Sequence, residues 1–141
     1  MDVTKVMAYF CLVGDHFPLE EITEVLTIKP TETYTKGDII EKNRATTFSP
    51  EVRKRVETDW TLSTGYQNSY DINDQLKSLL NFLEGKQKDI IRLKKKYKLT
   101  SIFIIVIEVG KNQTPAMCLE KEIIDYASAI GAEIHFDLYV M

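Results

Sequence analysis

Thr100-Ser-Ile-Phe-Ile-Ile-Val-Ile-Glu-Val109 is a run dominated by β-branched apolar side chains. A stretch this short, apolar on both parities, fits a strand buried on both faces at the centre of a sheet. A second segment of the same kind lies near the start of the chain. Between Val3 and Val13, the residues Val6, Ala8, Phe10 and Leu12 fall on one parity and Met7, Tyr9, Cys11 and Val13 on the other. Two doubly apolar segments predict two adjacent central strands, one carrying Phe10 and the other Ile104.

Outward from this pair, Gly14-Asp15 ends the first strand and Pro18 suits a first helical turn. Leu19, Ile22, Val25 and Leu26 then recur at helical spacing until Lys29-Pro30. From Thr31 the pattern weakens. Lys36-Gly37-Asp38 reads as a tight turn, and the polar stretch Glu41 to Glu57, through Ser49-Pro50, as a long loop or loose hairpin. Thr58 to Thr64 alternates, with Trp60 and Leu62 inward and Asp59, Thr61 and Ser63 on the opposite face. Asp71 can cap a helix whose stripe is Ile72, Leu76, Leu79, Leu80 and Leu83. Beyond Gly85, a stretch with Ile90, Ile91, Leu93 and Tyr97 is either a second helix or the far half of a kinked one. After a turn through Gly110 and Pro115, a helix from Leu119 to Ile130 stops at Gly131, and Ala132 to Val140 forms the last strand.

The order β-α-β-β-α-β-α-β predicts a single-domain α+β sandwich over residues 1–141. Its sheet is mixed and mostly antiparallel, with helices packed on it: a ferredoxin-like (split βαβ) arrangement with an extra C-terminal αβ unit. If every helix lies on one side, the uncovered apolar face needs a partner, and a homodimer is the simplest one.

A length of 141 residues with 44% apolar and 28% charged side chains suits one globular core, and a net charge of −3 provides no global attraction to nucleic acid or anionic lipid. Cys11 and Cys118 have no metal-ligand spacing, which predicts two reduced thiols and an intracellular, cytoplasmic protein. The longest apolar run, Ile102 to Ile107, is too short to span a bilayer, so no membrane partner is expected.

No segment combines a nucleophile with its base, a metal cage or a phosphate loop, so neither a catalytic residue, a metal nor a cofactor is assigned. Glu133, His135, Asp137 and Tyr139 share one parity of the last strand. Alternate strand residues stand about 6.5–7 Å apart, which favours a solvated face of a half-buried strand over a metal site. Trp60, between small hydroxyl residues and beside Asp59, reads either as a core residue or as a ligand shelf. Arg92, Lys94, Lys95, Lys96 and Lys98 crowd a helix end, where the dipole already favours cations, so nucleic acid is not an expected partner. His16 stands in a turn with no neighbouring nucleophile. The candidate ligand- or partner-binding residues are Lys36, Asp38, Trp60, Ser63, Asp137 and Tyr139, and the Trp60 strand is expected to share a cleft with the Asp137–Tyr139 strand.

The ordered set Ala8-Tyr9-Phe10, Gly14-Asp15, Ile28-Lys29-Pro30-Thr31, Lys36-Gly37-Asp38, Trp60-Thr61-Leu62, Gly131-Ala132-Glu133-Ile134 and Asp137-Leu138-Tyr139 resembles a bacterial family of unknown function, DUF4279. The resemblance spans nearly the whole chain and implies a bacterial, single-domain, cytoplasmic protein with no assigned activity. Two function classes follow. One is a non-catalytic binding or interaction module with a protein partner, including an immunity-type protein that masks a toxin. The other is a small-molecule-binding protein or weak hydrolase around Trp60, Lys36, Asp38, Asp137 and Tyr139.

Overall fold

The structure, a computed structural model, describes residues 3–40, 53–111 and 113–140. Its elements in chain order are β1 (Lys5–Gly14), α1 (Leu19–Leu26), β2 (Glu32–Tyr34), β3 (Thr58–Ser63), β4 (Gln67–Asn68), α2 (Ile72–Leu83), α3 (Gln87–Tyr97), β5 (Thr100–Val109), α4 (Lys121–Ile130) and β6 (Glu133–Val140). The strands form one mixed sheet in the order β2-β3-β1-β5-β6, with β4 paired to the start of β1. The two doubly apolar segments are indeed neighbours. β1 and β5 pair antiparallel with Phe10 opposite Phe103 and Tyr9 opposite Ile104. β3 lies between β1 and β2 and is antiparallel to both, while β6 joins β5 in parallel.

Period-two geometry divides every strand between two faces. Val6, Ala8, Phe10 and Leu12 of β1, Trp60 and Leu62 of β3, and Phe103, Ile105, Ile107 and Val109 of β5 form one core with the apolar stripes of α1, α2, α3 and α4. The Phe103 ring packs 5.1 Å from Phe10 and meets Tyr126 of α4 edge-on at 6.3 Å. All four helices lie on this side. The other parity of the central strands, with Met7, Tyr9, Val13, Ile102 and Ile104 half-buried, forms an open face. Covering on both sides was the expectation for these strands, and helices supply it on one side only.

Local chemistry sets the boundaries of the elements. Asp71 caps α2 by accepting from the Asn73 amide at 3.0 Å, and the Asn73 side chain holds the approach to α4 through the Cys118 carbonyl and the Glu120 amide. α2 and α3 are separate helices rather than one kinked rod, because the chain leaves the helical region at Glu84 and turns through Gly85 at φ +77°. Gly131 ends α4 at φ +64°, a left-handed conformation that costs a residue with a Cβ far more than glycine. Lys94 of α3 donates to the carbonyls of Ile130 and Gly131 at 2.6 and 3.1 Å, so one cation of the basic run caps the neighbouring helix. Lys96 pairs with Glu21 of α1 at 2.9 Å. β2 was not legible as a strand. The stretch expected as a loop or loose hairpin lies mostly outside the described residues, although at its margin Ile39 and Lys54 form an antiparallel bridge.

β6 departs from the expected half-buried strand. Its row Ile134, Phe136, Leu138 and Val140 does face the helix side, yet Phe136 and Leu138 remain 41% and 50% exposed. As the last strand of the sheet it is screened on that side only near Ile134, which packs against the core.

Ile105 is wholly buried under the helices whereas Ile104 is half-buried on the open face. Chemical denaturation is expected to show Ile105→Ala losing about 2–5 kcal/mol and Ile104→Ala clearly less. Equal losses would mean that the two faces are equally covered.

Candidate functional site

The sheet register defines the open face row by row. Lys5, Glu108 and Tyr139 form one row, and Met7, Val106 and Asp137 the next. Ser63, Tyr9, Ile104 and His135 follow, then Glu32, Thr61, Cys11, Ile102 and Glu133, then Tyr34, Asp59 and Val13. The strip along β1 and β5 is apolar, and the flanking strands carry carboxylates.

Three adjoining clefts indent this face, and Tyr9 lines all of them. The first, about 390 Å³, has Tyr9, Cys11, Val13, Ile102 and Ile104 as its floor, with Tyr34, Arg55 and Asp59 among its walls. The second, about 520 Å³, extends over Thr31, Glu32, Thr61 and Ser63. The third, about 420 Å³, lies among Tyr66, Val106, Glu108, Asp137 and Tyr139. The guanidinium of Arg55 stacks 3.6 Å above the Tyr34 ring, so the wall combines a flat cation with an aromatic surface.

Burial shapes the electrostatics of the floor. It pushes the Cys11 thiol up to about 12, helped by the Asp59 charge, and it pushes the Tyr9 phenol up to about 12 as well. Both are neutral at physiological pH. Asp59 is also raised, chiefly by burial, against the opposing effects of the Thr61 hydroxyl that it accepts at 2.6 Å and the Arg55 charge.

The sequence-derived candidates separate. Trp60 lies opposite Leu12 on the helix side, fully buried, and its indole N–H donates to Thr23 Oγ1 of α1 at 3.0 Å. Tyr139 lies opposite Glu108 on the open side. The cleft expected to join Trp60 with Asp137 and Tyr139 is therefore not formed: a residue one step from Asp59 on a strand must face away from it. Lys36 forms an ion pair with Asp15. Asp38 accepts the Thr35 amide at 2.8 Å, closing the turn whose Gly37 has φ +94°. Both are occupied in fastening that turn, and neither lines the three clefts. Ser63 lies in the second cleft, its oxygen accepting the Gly65 amide at 3.0 Å, and Asp137 and Tyr139 lie in the third. In the last strand His135 meets Glu133 at 2.9 Å. Among the described residues no group of three His, Cys, Asp or Glu side chains could hold a metal ion.

Tyr9, Arg55 and Tyr34 are cleft-lining residues that the sequence reading passed over, and Asp59 entered it only as the neighbour of Trp60. The available signal was the second apolar parity of β1, which needs a cover that the helices cannot give to both faces at once.

The chain matches the family described as a domain of unknown function, DUF4279, over residues 4–141, and it belongs to that family. No curated protein and no solved structure matches it. No helix among the described residues is long and apolar enough to cross a membrane.

Two measurements check the electrostatics of this face. Cys118 is exposed and Cys11 buried, so a thiol reagent in mildly alkaline buffer is expected to label one cysteine quickly and the second only on unfolding. Rapid labelling of both would contradict a sealed Cys11. The raised Asp59 carboxyl binds its proton more tightly folded than unfolded. Its relative contribution to stability is therefore present at low pH and lost as pH rises through its folded value. Asp59→Asn is expected to raise the denaturation midpoint at neutral pH, with the gain vanishing below the ordinary carboxylate value of 3.8. A gain that persists at low pH would assign the effect to something other than the charge.

Proposed function

We propose that this protein is a non-catalytic binding module that docks a basic protein partner on the open face of its sheet. The observation that carries the reading is the composition of that face. Met7, Tyr9, Val13, Ile102, Ile104 and Val106 make an apolar floor, and around it the carboxylates of Glu32, Asp59, Glu108, Glu133 and Asp137 outnumber the cations of Lys5, Lys54 and Arg55. Three shallow clefts side by side suit the side chains of a partner surface better than one small molecule, which favours a single enclosed pocket. Complementary charge would come from the partner's Lys and Arg.

Chemistry at the cleft floor supports binding over catalysis. The Cys11 thiol is neutral, and the hydroxyls of Thr61 and Ser63 are engaged with Asp59 and the Gly65 amide. An immunity-type protein, which masks a toxin by covering its active surface, is one form of such a module. A hydrolase built on Trp60 and Asp137 loses its premise, since these side chains lie on opposite faces.

The ferredoxin-like reading rests on topology. β1-α1-β2 is a parallel pair split by β3, and β5 returns antiparallel on the other side of β1. α4 and β6 then stand as an appended αβ unit. A cytoplasmic setting is supported by the unpaired thiols of Cys11 and Cys118.

Isotope-labelled protein titrated with a panel of peptides rich in Lys, Arg and aromatic residues is expected to shift the amides of β1 and β5. Tyr9→Ala should weaken that binding by about tenfold or more while leaving the fold intact. Absence of perturbation across the panel, or shifts confined to the helices, would overturn the reading.

A further inference from the structure

β6 closes one end of the sheet. Among the described residues no strand pairs with its outer edge, so that edge presents a row of backbone donors and acceptors without a ladder partner. Proteins usually guard such an edge with lysine, proline, a bulge or very short length. β6 has no lysine, proline or bulge and runs eight residues, Glu-Ile-His-Phe-Asp-Leu-Tyr-Val; its carboxylates, Glu133 and Asp137, alternate with an exposed apolar row of Phe136, Leu138 and Val140 and so narrow which strand can pair with it. An edge so built is a pairing template, and its own sequence says for what.

We propose that β6 pairs antiparallel with β6 of a second copy, about a two-fold axis passing through Phe136. In that register His135 lies opposite Asp137 of the partner subunit, and by symmetry Asp137 lies opposite His135 of the partner subunit. Phe136 meets its own copy, Ile134 meets Leu138, and Glu133 meets the Tyr139 hydroxyl. Every cross-strand pair is apolar with apolar, or carboxylate with a side chain that can donate a hydrogen bond. Neighbouring registers are poorer. An axis at His135 sets Glu133 against Asp137, and an axis at Asp137 sets that carboxylate against itself. His135 already holds Glu133 of its own strand at 2.9 Å, so the pairing would give the imidazole a carboxylate on each side.

The alternative of stacking two open faces is disfavoured by charge, because carboxylates outnumber Lys5, Lys54 and Arg55 on that face and two copies would be pressed together with a like excess. Edge pairing avoids that conflict. A two-fold axis normal to the sheet keeps both open faces on one side, so the pair carries one continuous surface with all its helices behind. The pairing does not depend on whether that surface binds a basic partner.

Light scattering of the full chain at high micromolar concentration is expected to report twice the 16.3 kDa of one chain. His135→Asp sets like charges opposite each other at two symmetry-related pairs and should weaken association by about tenfold. Adding Asp137→His to that variant should restore it, because the pair is then only exchanged. In a Cys118→Ser background, Phe136→Cys should oxidise to a covalent dimer while Ile134→Cys should not, since only residue 136 faces its own copy. All these positions except Ile134 are largely exposed, and circular dichroism checks that each variant folds. A monomeric wild type, an unaltered His135→Asp, failure of the exchanged pair to recover, or equal cross-linking at 134 and 136 would overturn the proposal.

Discussion

The antiparallel pairing of β1 with β5 is the constraint from which the rest of the molecule follows. Both strands are apolar on both parities, and their register locks Phe10 to Phe103 and Tyr9 to Ile104. Because side chains alternate, a slip of β5 by one residue against β1 would send Phe103 to the open side and bring Ile104 or Ile102 under the helices beside Phe10. The fully buried row beneath the helices resists that slip. Yet helices fill one side only, so the same pairing obliges an apolar strip to remain on the other. The open, clefted face is thus a by-product of how the core is built.

Much of the fold was legible because its signals are local. The Thr100–Val109 run, the Asp71 cap and the Gly131 stop each act through a few neighbouring residues, and each appears where the pattern puts it. β2 was illegible for the opposite reason. Glu32–Tyr34 has no apolar alternation of its own, and it is a strand because β3 offers an edge to pair with. The β6 row was legible as an alternation, but its exposure depends on being last in the sheet, which no local pattern encodes.

Trp60 teaches a different lesson. The expectation of a shelf grouped the indole with the Asp59 carboxylate because they are adjacent in sequence, whereas strand geometry places adjacent residues on opposite faces. The indole is satisfied by Thr23 in the core, and Asp59 is left to line the open clefts. The basic run of α3 was read as charges suited to its own helix end, whereas Lys94 and Lys96 are held by the Ile130 carbonyl and by Glu21, contacts that tie α3 to α4 and α1. Their charge therefore serves the helical layer, and the cations of the opposite surface are Lys5, Lys54 and Arg55 instead.

The appended αβ unit moves the exposed edge as well as adding core. Without β6, the edge of the sheet would be β5, whose row Ile102, Ile104 and Val106 has no charge within it until Glu108. An edge of that kind invites unspecific pairing. With β6 in place, Ile102, Ile104 and Val106 are flanked by Glu133, His135 and Asp137, and Tyr126 of α4 closes over Phe103. The edge now carries two carboxylates with an imidazole between them at fixed spacing. An uncharged apolar edge accepts almost any strand, whereas alternating Glu, His and Asp reject most registers and favour few. The C-terminal unit thereby turns an indiscriminate edge into a selective one while leaving the β1–β5 floor accessible beside it.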